Sequence, residues 1–183
     1  MHLPLPPRPE YSGIVALVFS NPDGSVGSAC SGTLVASRRI LTSASCAAAA
    51  NTGEFVARFR NADGSYTAIT GTQVALPSGP GADQFGERNI GVLTLDADAP
   101  SVARRYSFFA GSPLTDFTMA GYGYTGTGLT GGVIESGLFG PEPVLRAGRN
   151  CFDYSTGTIG FEPDPDDPQL DANGEMLFAD FDP

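Results

Sequence analysis

Few side chains in this sequence are equipped for catalysis. Its 183 residues include one histidine, His2, within the proline-rich stretch "MHLPLPPRPE", where a chain end is expected to be mobile. Zinc coordination and Ser-His or Cys-His nucleophilic chemistry both need an imidazole held among other groups, and none is placed for either. Ser45, in "CSGTLVASRRILTSASC" (residues 30–46), is a hydroxyl with no base beside it. It reads as a small polar residue in a turn. The stretch "DPDDPQLDANGE" (Asp164 to Glu175) has carboxylates spaced for a hard cation such as calcium. It departs from the EF-hand order and is broken by prolines, so a solvated acidic loop is expected. "YGYTGTGLTGG" (Tyr122 to Gly132) is glycine-rich but lacks the lysine of a phosphate-binding loop. No metal site and no cofactor is expected.

Three cysteines remain, Cys30, Cys46 and Cys151. The first two enclose a loop short enough for a local disulfide, and the third reads as a small apolar residue. A disulfide implies an oxidising compartment. The N-terminus carries no apolar run of the secretory kind, and no segment is long enough to span a membrane. The formal net charge of −10 argues against non-specific nucleic-acid binding, which requires clustered lysine and arginine.

The elements that must position these residues are strands. Glycine (24) and proline (15) favour short strands joined by turns. "SGIVALVFS", "SVGSACSGTLVA" and "RRILTSA" are candidate strands, with the turn "NPDG" between the first two. "CAAAAN" suits one helical turn. "EFVARFR" alternates apolar with polar residues and pairs across "NADGS" with "YTAITGTQVAL" as a second hairpin. "PSGPGADQFGER" (Pro77 to Arg88) is a surface loop, and "NIGVLTLD" is an apolar strand expected to be buried on both faces. A crossing segment, "ADAPSVARRYSFFAGSPLTD", leads to the strand in "FTMAGYGYTGTGLTG" and a further one in "PVLRAGRN". Phe108, Phe109, Phe117 and Phe152 are expected to pack in the core or the linker. The pattern is all-β, a barrel or a sandwich.

Four segments, in order, resemble the chymotrypsin/trypsin-like serine peptidases. "CSGTLVASRRILTSASC" is similar to that family's Cys-Gly-Thr-Leu strand leading to Thr-Ala-Ala-His-Cys, and two cysteines bracket it at the family's spacing. "NIGVLTLD" resembles the Asp-Ile-Ala-Leu-Leu strand, and "MAGYGYTGTG" the Gly-Trp-Gly turn that opens the second barrel. "LRAGRNCFD" with "MLFADFDP" resembles the approach to the nucleophile loop. The resemblance runs from about Tyr11 to the C-terminus. It implies a trypsin-like double β-barrel with the first barrel complete and the second incomplete. The implied organisation is an N-terminal segment (1–10), a first barrel (11–100), and a linker with a partial second barrel (101–183). It also implies a Cys30–Cys46 disulfide and a secreted or periplasmic protein.

Carried across residue by residue, the family's general base falls on Ser45 and its orienting aspartate on Asn89. A serine hydroxyl is no base near neutral pH, and an amide carries no charge to steady an imidazolium. No Gly-Asp-Ser-Gly-Gly motif occurs before Pro183, and no Gly-x-Ser-x-Gly elbow replaces it. Losing one triad member costs on the order of 10⁴ in turnover. The expectation is a family member by shape, inactive as a peptidase. The alternatives are a non-enzymatic binding module with a protein or peptide partner, and an unrelated secreted β-sandwich.

Overall fold

The computed structural model describes residues 7–20, 26–49, 54–77, 89–108, 116–123, 125–127, 131–133, 143–151, 154–155 and 177–178. Six strands form a closed barrel: β1 (Ile14–Ser20), β2 (Val26–Ala36), β3 (Arg39–Thr42), β4 (Phe55–Arg60), β5 (Tyr66–Ala75) and β6 (Gly91–Leu95). Their order around the barrel is β1-β2-β3-β6-β5-β4, and every pairing is antiparallel. A short helix, α1 (Ala44–Ala49), follows β3, and a 3₁₀ turn over Pro9–Tyr11 precedes β1.

Alternation builds the inside. Phe55, Ala57 and Phe59 of β4 are buried while Val56, Arg58 and Arg60 are half-buried, as a period of two requires. These side chains meet Val15, Leu17 and Phe19 of β1, with Leu34, Ile40, Leu93 and Leu95 completing the core. The rings of Phe19 and Phe55 lie 6.2 Å apart in a tilted arrangement, a favourable geometry for aromatic quadrupoles. Register shifts in β1, β2 and β5 supply the local bending that closing a sheet into a barrel demands. In the β4–β5 hairpin, Gly64 takes a φ of +90°, a left-handed conformation that glycine adopts without strain. Asp63 stabilises this turn by accepting hydrogen bonds from the Ser65 N–H (2.9 Å) and hydroxyl (2.6 Å).

Two expectations need correction. The "NIGVLTLD" strand is not buried on both faces. In β6 only Gly91, Leu93 and Leu95 are buried, and Val92 and Thr94 on the other face are half-buried. The strand covered on both sides is β1, where all five residues from Val15 to Phe19 are buried. Its outer face carries Ala16 against Tyr122 and Leu145, with Tyr11, Ile14 and Tyr66 around them. Phe108 is the second correction, since at 72% exposure it packs in neither core nor linker. Phe117 is half-buried; Phe109 and Phe152 lie outside the described residues.

The linker is tied down by backbone bonds. Tyr106 N–H donates to the Leu34 carbonyl at 2.9 Å, and its hydroxyl donates to the Glu10 carbonyl at 2.5 Å. Ser12 accepts from Arg104 N–H (3.0 Å) and faces the Val102 carbonyl at 3.1 Å. Beyond it, β7 (Asp116–Gly121) pairs with β10 (Arg146–Cys151), β8 (Thr125–Thr127) with β9 (Gly131–Val133), and β11 (Tyr154–Ser155) with β12 (Leu177–Phe178). This is a partial second sheet system beside the complete barrel.

Candidate functional site

The stretch from Cys30 to Cys46 folds as β2, β3 and the start of α1. Ser43 caps the helix. Its Oγ accepts from Cys46 N–H at 3.3 Å, and its carbonyl accepts from Ala47 N–H at 2.9 Å. A serine at this position satisfies donors that the first helical turn leaves open. Cys30 and Cys46 form a disulfide with Cα atoms 6.2 Å apart, pinning α1 to β2. The expected bridge is therefore present, and it fits an oxidising compartment.

Ser45 and Asn89, 44 positions apart in sequence, meet here. Asn89 Oδ1 accepts a hydrogen bond from Ser45 N–H at 3.1 Å. The Ser45 hydroxyl lies 3.0 Å from that of Ser43. Both residues are half-buried. The approach depends on small residues. A Cβ added at Gly91 would stand 2.5 Å from the Ala47 Cβ and 3.4 Å from the Ser43 carbonyl oxygen, so α1 reaches β6 only because position 91 has no side chain. Chemically the cluster is two hydroxyls, an amide and a backbone N–H. It has donors and acceptors, but none of these groups takes up or releases a proton near neutral pH.

One residue beyond Cys30, Ser31 makes the join to the second half. Its Oγ accepts from Tyr122 N–H at 2.7 Å, and its hydroxyl donates to the Tyr122 carbonyl at 2.8 Å. Thr42 Oγ1 donates to the Ser31 carbonyl at 2.8 Å. Ser31, Ser43 and Gly91 join Ser45 and Asn89 as residues that shape this site. Ser43 had a local signal, a serine immediately before an alanine-rich run; the role of Ser31 depends on a partner 91 residues away. Tyr122 itself is buried, and its hydroxyl stands 3.5 Å from the Ile14 carbonyl. Burial first, and then the neighbouring Tyr66, push its phenol well above the usual tyrosine range.

A six-stranded antiparallel barrel, a cystine joining its second strand to a helical turn, and a further strand pair docked through Tyr122 are now in place. The sequence matches no family model and no curated protein. Solved structures do match. Neuropsin, a serine protease expressed in the limbic system of mouse brain, superposes with a TM-score of 0.58 at 15% identity over 84% of this chain and 65% of its own. GrC gives 0.56 at 17% identity over 84% and 65%, and HL collagenase 0.60 at 12% over 85% and 64%. The chain has the chymotrypsin-like serine protease fold. The trypsin-like double barrel expected from the sequence is the architecture observed, and the chain spans a little under two thirds of the length of these structures.

Among the described residues, no group of three or more His, Cys, Asp or Glu is placed to hold a metal ion. No described helix is long and apolar enough to cross a membrane. The acidic stretch from Asp164 to Glu175 and His2 lie outside the described residues. Cys151 ends β10.

Proposed function

We propose that this chain is a trypsin-like endopeptidase relative that does not cut peptide bonds. The Ser45–Asn89 hydrogen bond carries the reading. The resemblance assigns these two positions to the general base and its orienter, and Asn89 Oδ1 accepts from the Ser45 backbone N–H. Hydrolysis needs an imidazole and a carboxylate there. This chain has a hydroxyl and an amide instead, and the amide oxygen accepts from the Ser45 backbone N–H. Serine cannot take a nucleophile's proton near neutral pH, and asparagine supplies no charge to stabilise an imidazolium. The disulfide supports a secreted or periplasmic location.

The test is active-site titration. The purified chain, incubated with a fluorophosphonate and assayed on peptide and ester substrates, is expected to show neither labelling nor turnover. Stoichiometric labelling of any one serine would overturn the inactive reading.

A further inference from the structure

Away from Ser45 and Asn89, a pocket of about 390 Å³ opens where the 3₁₀ turn, the start of the β4–β5 turn, the linker and the segment before β10 meet. Its size falls in the range of small-molecule sites. Pro9, Tyr11, Ala62, Val102 and Leu145 give it largely apolar walls. The frame behind those walls is fixed. The Ser12 hydroxyl donates to the Pro9 carbonyl at 2.8 Å and accepts from Arg104 N–H at 3.0 Å, tying the turn to the linker. A Cβ added at Gly13 would stand 1.8 Å from the Arg104 carbonyl oxygen, so the two segments close on each other only because position 13 has no side chain.

The polar side chains on the described lining, Arg8, Ser12, Arg60 and Asn61, already have partners. Arg8 pairs with Glu10 at 3.5 Å. The Asn61 amide donates to the Ser65 hydroxyl at 2.9 Å, and its oxygen accepts from the Thr67 hydroxyl at 3.2 Å. Arg60 is engaged as well, and its charge acts on the Tyr122 phenol. An anionic guest would have to break these contacts, and it would approach a chain of net charge −10. A cationic guest fares no better, since two guanidinium groups flank the pocket and no carboxylate is on its described lining. An uncharged apolar body gains from burial without asking any of these groups to change partner.

We infer that this pocket binds a neutral, largely apolar small molecule, its body lying between Pro9, Tyr11, Val102 and Leu145. This site does not depend on the inactive reading of Ser45 and Asn89. An active peptidase would carry it equally.

The probe pair is N-phenyl-1-naphthylamine, neutral and fluorescent once it leaves water, and its sulfonate, 8-anilino-1-naphthalenesulfonate, which adds one negative charge. With the full chain titrated into a fixed low concentration of either, the neutral probe should bind at one saturable site, with Kd about 0.2 mM or tighter for a ligand of this size. The sulfonate should bind about tenfold or more weakly, because its charge loses water and finds only donors that already have partners. Val102→Trp and Ala62→Trp fill the pocket from exposed positions, leave the core intact, and should each abolish binding of the neutral probe. Phe108→Ser removes an aromatic ring that is 72% exposed and outside the pocket lining, and should leave binding unchanged. Thermal midpoints check that each variant is folded. Sulfonate binding as tight as that of the neutral probe, binding retained in either folded tryptophan variant, binding lost in Phe108→Ser, or no saturable binding by the parent chain would each overturn the assignment.

Discussion

Breaking the Cys30–Cys46 bridge should cost an amount set by the chain it closes. The two cysteines are 16 residues apart. Freeing a loop of that length returns about 10 cal/mol/K of conformational entropy to the unfolded chain, or about 3 kcal/mol at 25 °C. Within the fold little should change, because α1 keeps its Ser43 cap and the Ser45–Asn89 bond, and both cysteines pack against the main core. The assay is denaturant and thermal unfolding of the parent chain with and without reductant, beside Cys30→Ser/Cys46→Ser. Reduction removes only the covalent link, so it isolates the entropic part; the double variant adds the loss of two half-buried sulfurs. Both should lower stability by roughly 3 kcal/mol, and the thermal midpoint by roughly 6–12 °C for a chain of this length. A loss below about 1 kcal/mol would refute the reasoning, since it would mean that the unfolded chain holds residues 30 and 46 together without the bond.

Asn89→Ala leaves the Ser45 N–H without its acceptor and should destabilise by about 1 kcal/mol in denaturant unfolding, whereas Asn89→Asp, which keeps an acceptor oxygen, should lose less. Ser31→Ala strips a hydrogen bond from both the N–H and the carbonyl of Tyr122. It should cost about 1–3 kcal/mol by the same measurement, with the Tyr122 amide exchanging faster with solvent. The raised phenol of Tyr122 gives a signed pH dependence. The folded protein keeps a proton that the unfolded chain loses above its ordinary value of 10.0. The contribution is therefore fully present below pH 10 and is lost as the pH rises beyond it. Tyr122→Phe should flatten that alkaline decline in stability; an unchanged slope would count against burial as its cause.

How far the sequence could be read depended on the range of the interactions. Alternation in "EFVARFR" is a local property of one strand, and β4 follows it residue by residue. The helical turn at "CAAAAN" was legible from alanine propensity, though its start at Ala44 depends on the Ser43 cap, three residues before that stretch. Burial of a strand's second face is not local. Hydropathy alone made β6 look doubly covered, but Val92 and Thr94 on its outer face are only half-buried, while β1 gains Tyr122 and Leu145 from more than a hundred residues away. Phe108 illustrates the same limit: an aromatic side chain records what it can bury, not whether a neighbour arrives to bury it. The candidate site was legible as two positions, Ser45 and Asn89, picked out by the resemblance. Their direct contact depends on Gly91 letting α1 close on β6, and no spacing rule encodes that.

The double burial of β1 makes it a shared wall. Its inner residues hold the barrel, and its outer Ala16 receives the second half through Tyr122 and Leu145. Paired with β2 on one side and β4 on the other, its amides have water on neither face and no free edge. They should be among the last in the molecule to exchange, opening only when the whole structure does. Cutting the chain within the linker would therefore do more than remove a neighbour: it would turn an interior wall into an outside one, leaving the severed barrel closed in topology but with a bare apolar stripe along its first strand.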